Sequence, residues 1–224
     1  MVAAGLLVQT LSTSAAEFFL DDGSVNTFGG TPGGDCLSLN HFNTGGATVV
    51  INTIRVLWNP ISASVFPAVT LYSDPNGDGN PSDMVPIRIT PISVPPNVVI
   101  LNNTTLQDYA ITPTQITGSF FVGEFLSDRT SDFDPVTGID TAHLAPGQSW
   151  IIENSVAGRM NLQSPIGTST LVTPLDTYVS GNFMIRAVYT VVPEPRTSAL
   201  MVVGILFGVA VSRSFLCPHK SASS

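Results

Sequence analysis

Apolar and polar residues alternate along the middle of the chain, and the alternating stretches are separated by Gly, Pro, Asn and Asp. In residues 47–58 the apolar side chains on one face are Val50, Ile54, Val56 and Trp58, with Asn52 as the exception. In residues 182–191 they are Phe183, Ile185, Ala187 and Tyr189, with Arg186 on the other face. A period of two is typical of strands that bury one face.

The same pattern predicts further strands at 36–42, 68–72, 87–92, 98–101, 105–111, 118–126 and 149–153. Prolines at positions 86, 91, 95 and 96 indicate edge strands or breaks, because proline donates no hydrogen bond to a neighbouring strand. This part of the chain shows no convincing helix. The pattern predicts an all-β domain at 17–191. Its architecture is expected to be an antiparallel two-sheet sandwich with a jelly-roll-like topology.

Residues 1–16 have the features of a secretory signal peptide. Residues 3–11 are mostly apolar, and Ser14, Ala15 and Ala16 provide the small residues that signal peptidase requires at its cleavage site. No Lys or Arg precedes the apolar part, so either the true start lies upstream of Met1, which we expect, or the signal is unusually weak. The alternative is an apolar first strand.

A second apolar stretch lies near the end of the chain, at 199–211, and carries no charge. At about 1.5 Å per residue it spans roughly 20 Å as a helix. A bilayer core is about 30 Å thick, so we predict a longer transmembrane helix at about 197–212, with Arg213 at the far interface. The alternative is a buried core helix, but no polar face is present to meet water.

The residues before this helix carry a resemblance. Val192, Pro193, Glu194 and Pro195 precede the apolar run and Arg213 follows it, an order that resembles the PEP-CTERM sorting signal of Gram-negative bacteria. In that family an exosortase, a membrane-embedded enzyme similar to cysteine transpeptidases, recognises the tripeptide, and the helix with its basic end is a transient anchor. The resemblance covers residues 192–224. Family members usually end in several arginines, whereas Arg213 stands alone here.

Composition limits the partners of the predicted domain. The chain has 16 acidic and 8 basic residues, with a formal net charge of −8. This argues against nucleic acid, whose phosphates need clustered cations. Cys36 lies in the domain and Cys217 lies beyond the helix, so we expect Cys36 to be a small buried apolar residue.

One loop has the spacing of a calcium site. Asp74, Asn76 and Asp78 alternate before Gly79, as in the first half of an EF-hand loop, where alternate oxygens converge on one ion. The twelfth position holds Val85 instead of glutamate, which excludes an ordinary EF-hand. Asp83 or backbone carbonyls would then complete the site. The alternative is a solvated turn built from the residues that turns prefer.

Two further stretches contain residue types that occur in functional sites. An acidic loop contains Asp128, Asp132 and Asp134 and is followed by Asp140 and His143. These residues could form a site that binds a ligand or an ion, or an acid-base site. No spacing rule supports catalysis there, and we expect a solvated loop. The glycine-rich stretch 28–34 has no following helix or lysine, so it predicts a flexible loop and not a phosphate site.

The resemblance and the composition together lead to one expectation. The chain would be an exported bacterial protein, anchored in the membrane at least transiently and then found in the cell envelope or extracellular matrix. The resemblance implies an association with exopolysaccharide and biofilm material, so we expect a structural or binding module and not an enzyme. The alternative is a secreted hydrolase acting on polysaccharide, which requires two carboxylates within roughly 5–10 Å in a cleft.

Overall fold

The computed structural model describes residues 15–29, 34–58, 66–93, 105–129, 137–156 and 158–192, with backbone only for Phe66, Asp128 and Arg129. The chain divides into two compact units, 1–191 and 192–224. The predicted strand at 98–101, the predicted sorting helix and most of the predicted signal peptide lie outside the described residues. Within those residues, no helix combines the length and hydropathy that a membrane span requires.

The described residues form eleven strands and two short 3₁₀ helices, at Pro81–Asp83 and Leu175–Thr177. In chain order the strands are β1 (Ala16–Phe18), β2 (Thr27–Gly29), β3 (Gly34–Val56), β4 (Phe66–Ser73), β5 (Val85–Pro91), β6 (Gln107–Arg129), β7 (Thr137–Asp140), β8 (Ser149–Asn154), β9 (Leu171–Pro174), β10 (Asn182–Phe183) and β11 (Ile185–Val191).

The two longest strands, β3 and β6, pair with each other and connect two groups of strands. The first half of β3 and the second half of β6 continue through β8 to β9 on one side and through β4 to β5 on the other, and we call this group the wide sheet. The remaining halves continue through β11 to β1, and we call this group the narrow sheet. A separate small sheet contains β10, β7 and β2. All these pairs are antiparallel.

Glycines mark the point where β3 and β6 pass from one group to the other. The register of β3 shifts between Asn43 and Thr48. Gly45 and Gly46 between them have φ of 64° and 86°, and Gly118 at the same level of β6 has φ of 91°. Side chains rarely adopt these positive φ values, so glycine allows both long strands to change direction together.

Two hydrophobic clusters cover the two faces of the wide sheet. The larger cluster joins it to the narrow sheet and includes Phe42, Leu71, Phe120 and Val122 from the first and Ile51, Ile54, Val56 and Ile185 from the second. The smaller cluster lies on the opposite face and includes Leu37, Leu39, Tyr72, Phe121 and Met160. The loop between β8 and β9 contributes Met160, Leu162 and Ile166, so this loop covers the second face.

The architecture confirms an all-β, antiparallel, sandwich-like domain. The predicted strands at 36–42 and 47–58 are parts of β3, and those at 105–111 and 118–126 are parts of β6. The short strands β1, β2, β7 and β9 were not predicted, because three or four residues give too little alternation to detect. Cys36 is buried in the larger cluster, as expected.

One predicted face was partly wrong. Val50 was placed on the face of Ile54 and Val56, but it is only half-buried, and the buried side chains before the irregularity are Val49 and Ile51. The register of β3 against β6 shifts between Ile51 and Thr53. An extra residue in one strand reverses which side chains point inward, so a strict period of two fails there.

Candidate functional site

The loop predicted to bind calcium follows β4 and is shaped by its first residue. Asp74 is buried, and its Oδ1 accepts the Gly77 N–H at 3.0 Å while Oδ2 accepts the Gly79 N–H at 3.0 Å. Both glycines have positive φ, 74° and 75°. A short aspartate that bonds backbone N–H groups a few residues ahead is a turn device, so the loop closes around this carboxylate.

A histidine fixes Asp74 from the side of the sheet. His41 Nε2 lies 3.0 Å from Asp74 Oδ2, and Nδ1 lies 2.9 Å from Gln148 Oε1. A Cβ at position 79 would lie 3.2 Å from His41 Nδ1, a tight contact that adds to the preference for glycine set by its positive φ. The sequence predicted only a packed or exposed side chain for His41, since 33 residues separate it from Asp74.

The exposed part of the loop uses its polar side chains in the same way. Asn76 Oδ1 accepts the Asp78 N–H at 2.9 Å, and Asp78 Oδ1 accepts the Asn80 N–H at 2.7 Å. The Asn76 amide also donates to Asp78 Oδ2 at 3.1 Å. These bonds stabilise successive turns, as expected for the alternative prediction of a solvated turn.

The loop also collects negative charge. One carboxylate oxygen from each of Asp74, Asp78 and Asp83 lies within 4.8 Å of the others. Calcium binds oxygens at about 2.3–2.6 Å, so two oxygens that share an ion lie within about 5 Å of each other. Asp83 Oδ1 is buried and has no hydrogen-bond partner among the described residues. These three carboxylates therefore fit a hard cation. Asn76 lies next to them and donates a hydrogen bond to Asp78.

The second acidic stretch serves a structural purpose where it is described. Residues 130–136 and the side chain of Asp128 lie outside the described part. Asp140 is fully buried, and its carboxylate accepts the N–H groups of Asp22, Ala142 and His143 at 2.8–3.2 Å. His143 is exposed. The described atoms therefore form a backbone anchor at this end of the domain.

A cavity that the sequence did not indicate lies in the loop between β8 and β9. Its volume is about 440 Å³, within the range of small-molecule sites. The polar residues that line it include Asn154, Arg159, Asn161, Ser164, Thr168 and Ser169. No Asp, Glu or His is among its lining residues. Only the nearness in sequence of several hydroxyl and amide residues could have suggested it.

A buried aspartate from the wide sheet holds the base of this loop. Asp35 accepts the N–H groups of Gly158, Arg159 and Met160 at 2.8, 2.7 and 2.7 Å. It also accepts the hydroxyl of Ser127 at 2.9 Å. The partners of Asp35 lie more than 90 residues away in sequence, so its role could not be predicted from local pattern.

A second residue of the wide sheet, Tyr72, also binds this loop. Tyr72, which is fully buried, donates its hydroxyl to the backbone carbonyl of Leu162 at 3.1 Å. Burial raises the pKa of the Tyr72 hydroxyl well above its ordinary value, because the phenolate would lose its hydration. The hydroxyl therefore keeps its proton, and with it this bond, far into the alkaline range.

Charges on the narrow sheet are arranged in a chain of ion pairs. Glu17 on β1 pairs with both Arg55 and Arg186, Arg55 also pairs with Asp108, and Arg186 pairs with the buried Asp21. These contacts attach β1 to β3 and β11, and they attach β3 to β6. Arg159 takes part in no ion pair with the described residues.

Comparisons of the chain with protein-family models, with curated proteins and with solved structures found no match. Two loops within the described residues have the chemistry of candidate sites. One is the acidic loop at 74–83. The other is the polar loop between β8 and β9.

Proposed function

We propose that the chain is an exported bacterial surface protein whose β-domain is a structural or binding module of the exopolysaccharide matrix. The tail carries this proposal: Pro193, Glu194 and Pro195 precede an apolar run that ends at a basic residue. In this proposal an exosortase processes the tail after signal peptidase has removed residues 1–16. The jelly-roll topology of the β-domain remains a prediction.

The first described strand supports a mature chain that begins near Glu17. Glu17 pairs with Arg55 and Arg186, and the Phe18 ring stacks on Tyr189 with centroids 4.3 Å apart. Cleavage after Ala16 would leave all these contacts intact. The mature domain would then keep Glu17 and Phe18 of β1 and lose only Ala16 from that strand.

The acidic residues support a binding module over a hydrolase. The described carboxylates of Asp35, Asp74 and Asp140 accept backbone N–H groups and shape loops. The oxygens of the Asp74, Asp78 and Asp83 cluster lie within 4.8 Å, whereas a glycosidase holds its two carboxyl groups about 5–10 Å apart around a sugar. The polar cavity has no acidic lining residue, so it has the chemistry of a binding site.

We also propose calcium as the cation of the loop at 74–83. The supporting observation is the buried Asp83 Oδ1, which lies beside two other carboxylates and has no hydrogen-bond partner within the described part of the chain. An ion there would neutralise three like charges that otherwise repel one another. It would stiffen the connection between β4 and β5.

The proposed sorting is tested by the mass of the protein recovered from an exosortase-bearing host. We expect the wild type to lack the residues that follow the motif, and Glu194→Ala to remain full-length in the membrane fraction. Thr197→Ala, next to the motif, is the matched control and should be processed normally. Recovery of only full-length wild type would contradict the proposal.

A further inference from the structure

We propose that the cavity in the loop between β8 and β9 is a subsite for an acidic glycan, with Arg159 binding the carboxylate of a uronic acid residue. This inference rests on the proposed function, since it names the class of matrix polysaccharide that the module would bind. Four observations carry it: the size of the cavity, the unused polar groups on its wall, the unpaired arginine and the rigid base.

The size and composition of the cavity suit one or two sugar rings. About 440 Å³ is enough for a small polar ligand. The lining is rich in hydroxyl and amide groups, which both donate and accept hydrogen bonds, and Arg159 is the one charged residue among those that line the cavity. Such a wall favours a ligand that carries acceptors and negative charge.

Several of these polar groups are not used by the protein itself. The hydroxyls of Ser164, Thr168 and Ser169 make no hydrogen bond with the described residues. Asn154 and Asn161 use their side-chain oxygens to accept the N–H groups of Val156 and Gln163, at 3.0 Å in both cases. Their amide N–H groups thus remain available to ligand oxygens. Sugar hydroxyls, which both donate and accept, match this set.

Arg159 differs from the arginines of the narrow sheet. Arg55 and Arg186 are each held by two carboxylates, whereas Arg159 is exposed and has no ion-pair partner among the described residues. A guanidinium presents a planar fork that matches a carboxylate with two parallel bonds. In a chain of net charge −8, this unpaired cation beside a cavity without acids is a local site for an anion.

The base of the cavity is fixed before any ligand arrives. Asp35 accepts the backbone N–H groups of Gly158, Arg159 and Met160, and Met160 is buried in the smaller hydrophobic cluster. The Tyr72 hydroxyl holds the carbonyl of Leu162. A base that is already held in place lowers the entropic cost of association.

The test is calorimetric titration of the purified full-length chain in nonionic detergent with hexagalacturonate. EDTA is present throughout, so that calcium cannot bridge the glycan to the acidic loop. We expect the wild type to bind hexagalacturonate and to bind neutral cellohexaose at least about tenfold more weakly. Arg159→Gln should weaken the acidic ligand at least about tenfold, because a hydrogen-bonded charge pair is lost.

Two variants control for charge and geometry. Arg88→Gln makes the same charge change on β5, at a residue that does not line the cavity, and should change affinity less than twofold. Arg159→Lys keeps the charge without the fork and should fall between Arg159→Gln and the wild type. Equal loss in Arg88→Gln and Arg159→Gln would overturn the inference, since the effect would then be a general field.

Two further results would overturn it and leave the proposed function standing. Wild-type binding of hexagalacturonate no tighter than cellohexaose would exclude an acidic subsite, while the exported protein could still be retained in the matrix through another surface. Binding of a sulfated heparin hexasaccharide in place of the uronate oligomer would contradict the carboxylate assignment. Failure of export, by contrast, would refute the proposed function without changing the titration of the purified chain.

Discussion

Two buried aspartates shape two loops of this domain in different surroundings. Asp74 accepts N–H groups only three and five residues ahead, and two other carboxylates lie within 4.8 Å of its oxygens. Asp35 accepts N–H groups 123 to 125 residues ahead, together with a serine hydroxyl. Asp74 thus stabilises its own turn next to other carboxylates. Asp35 instead stabilises a loop distant in sequence by accepting that loop's backbone N–H groups.

The difference separates a structural anion from a candidate cation site. Asp35 accepts three backbone N–H groups and one hydroxyl, so these donors compensate its charge and a cation has little to add. Asp74 also has donors, but Asp78 and Asp83 add negative charge on the exposed side. Removing Asp35 should therefore damage the fold, whereas the Asp74 loop should respond mainly to calcium.

The largest expected effect is that of Asp35→Ala. It leaves three backbone N–H groups and the Ser127 hydroxyl without their acceptor, and each buried unsatisfied donor costs about 1–3 kcal/mol. Water will reach some of them, so we expect a loss of about 3–5 kcal/mol in the free energy of unfolding. Chemical denaturation measures it directly.

The control for this variant is Asp176→Ala. The Asp176 carboxylate accepts one backbone N–H, from Gly147 at 2.8 Å, at an exposed position. A single exposed bond contributes about 1 kcal/mol or less. If the two variants unfold at the same denaturant concentration, Asp35 does not anchor the loop between β8 and β9.

The next effect is the response of the acidic loop to calcium. An ion bound at a hundredfold excess over its dissociation constant stabilises the fold by about 2.7 kcal/mol. For a domain of roughly 150–200 residues this raises the melting temperature by about 5–10 °C. Extracellular sites bind at about 0.1–1 mM, so the titration must reach tens of millimolar.

Asp78→Ala should abolish this rise and leave the calcium-free protein nearly unchanged. The lost turn bond to the Asn80 N–H is offset by weaker repulsion among the remaining carboxylates. Asp176→Ala should keep the full response. Identical melting of wild type and Asp78→Ala at every calcium concentration would leave the loop as a turn only.

The same contrast explains what the sequence could predict. The Asp74 loop was found because its aspartate, asparagine and glycines are close together in the chain, and turn chemistry is local. The cavity and the role of Asp35 were not found, because β6 and the loop after β8 reach Asp35 only through the fold. His41 was undervalued for the same reason.

The strands show a similar limit. Alternation located most of the long strands, yet it separated β3 into pieces at Gly45 and Gly46, where positive φ interrupts the pattern, and it separated β6 into pieces by missing residues 112–117. The shift after Ile51 then reversed the predicted face at Val50. Local signals thus give the type of element, while bulges and long-range pairing decide its length and register.

The smallest expected effect tests the contact beneath the polar loop. Tyr72→Phe removes the hydroxyl that donates to the Leu162 carbonyl, which should cost about 1 kcal/mol at pH 7. Tyr178→Phe is the matched control, because the Tyr178 side chain is exposed and its hydroxyl makes no hydrogen bond with the described residues. Denaturant unfolding of both variants measures the difference.

Alkaline pH should remove the Tyr72→Phe defect. Burial raises the pKa of Tyr72 in the folded state, so above pH 10 the unfolded chain releases a proton that the folded chain retains. Stability from the wild-type tyrosine is complete below pH 10 and falls by about 1.4 kcal/mol for each pH unit above it. Burial also raises the pKa of Tyr109, to about 12. Its pH-dependent contribution to stability is the same in both proteins and cancels in their difference. The two unfolding curves should therefore meet near pH 11, and a difference that stays constant from pH 7 to 11 would show that Tyr72 ionises freely in the folded state.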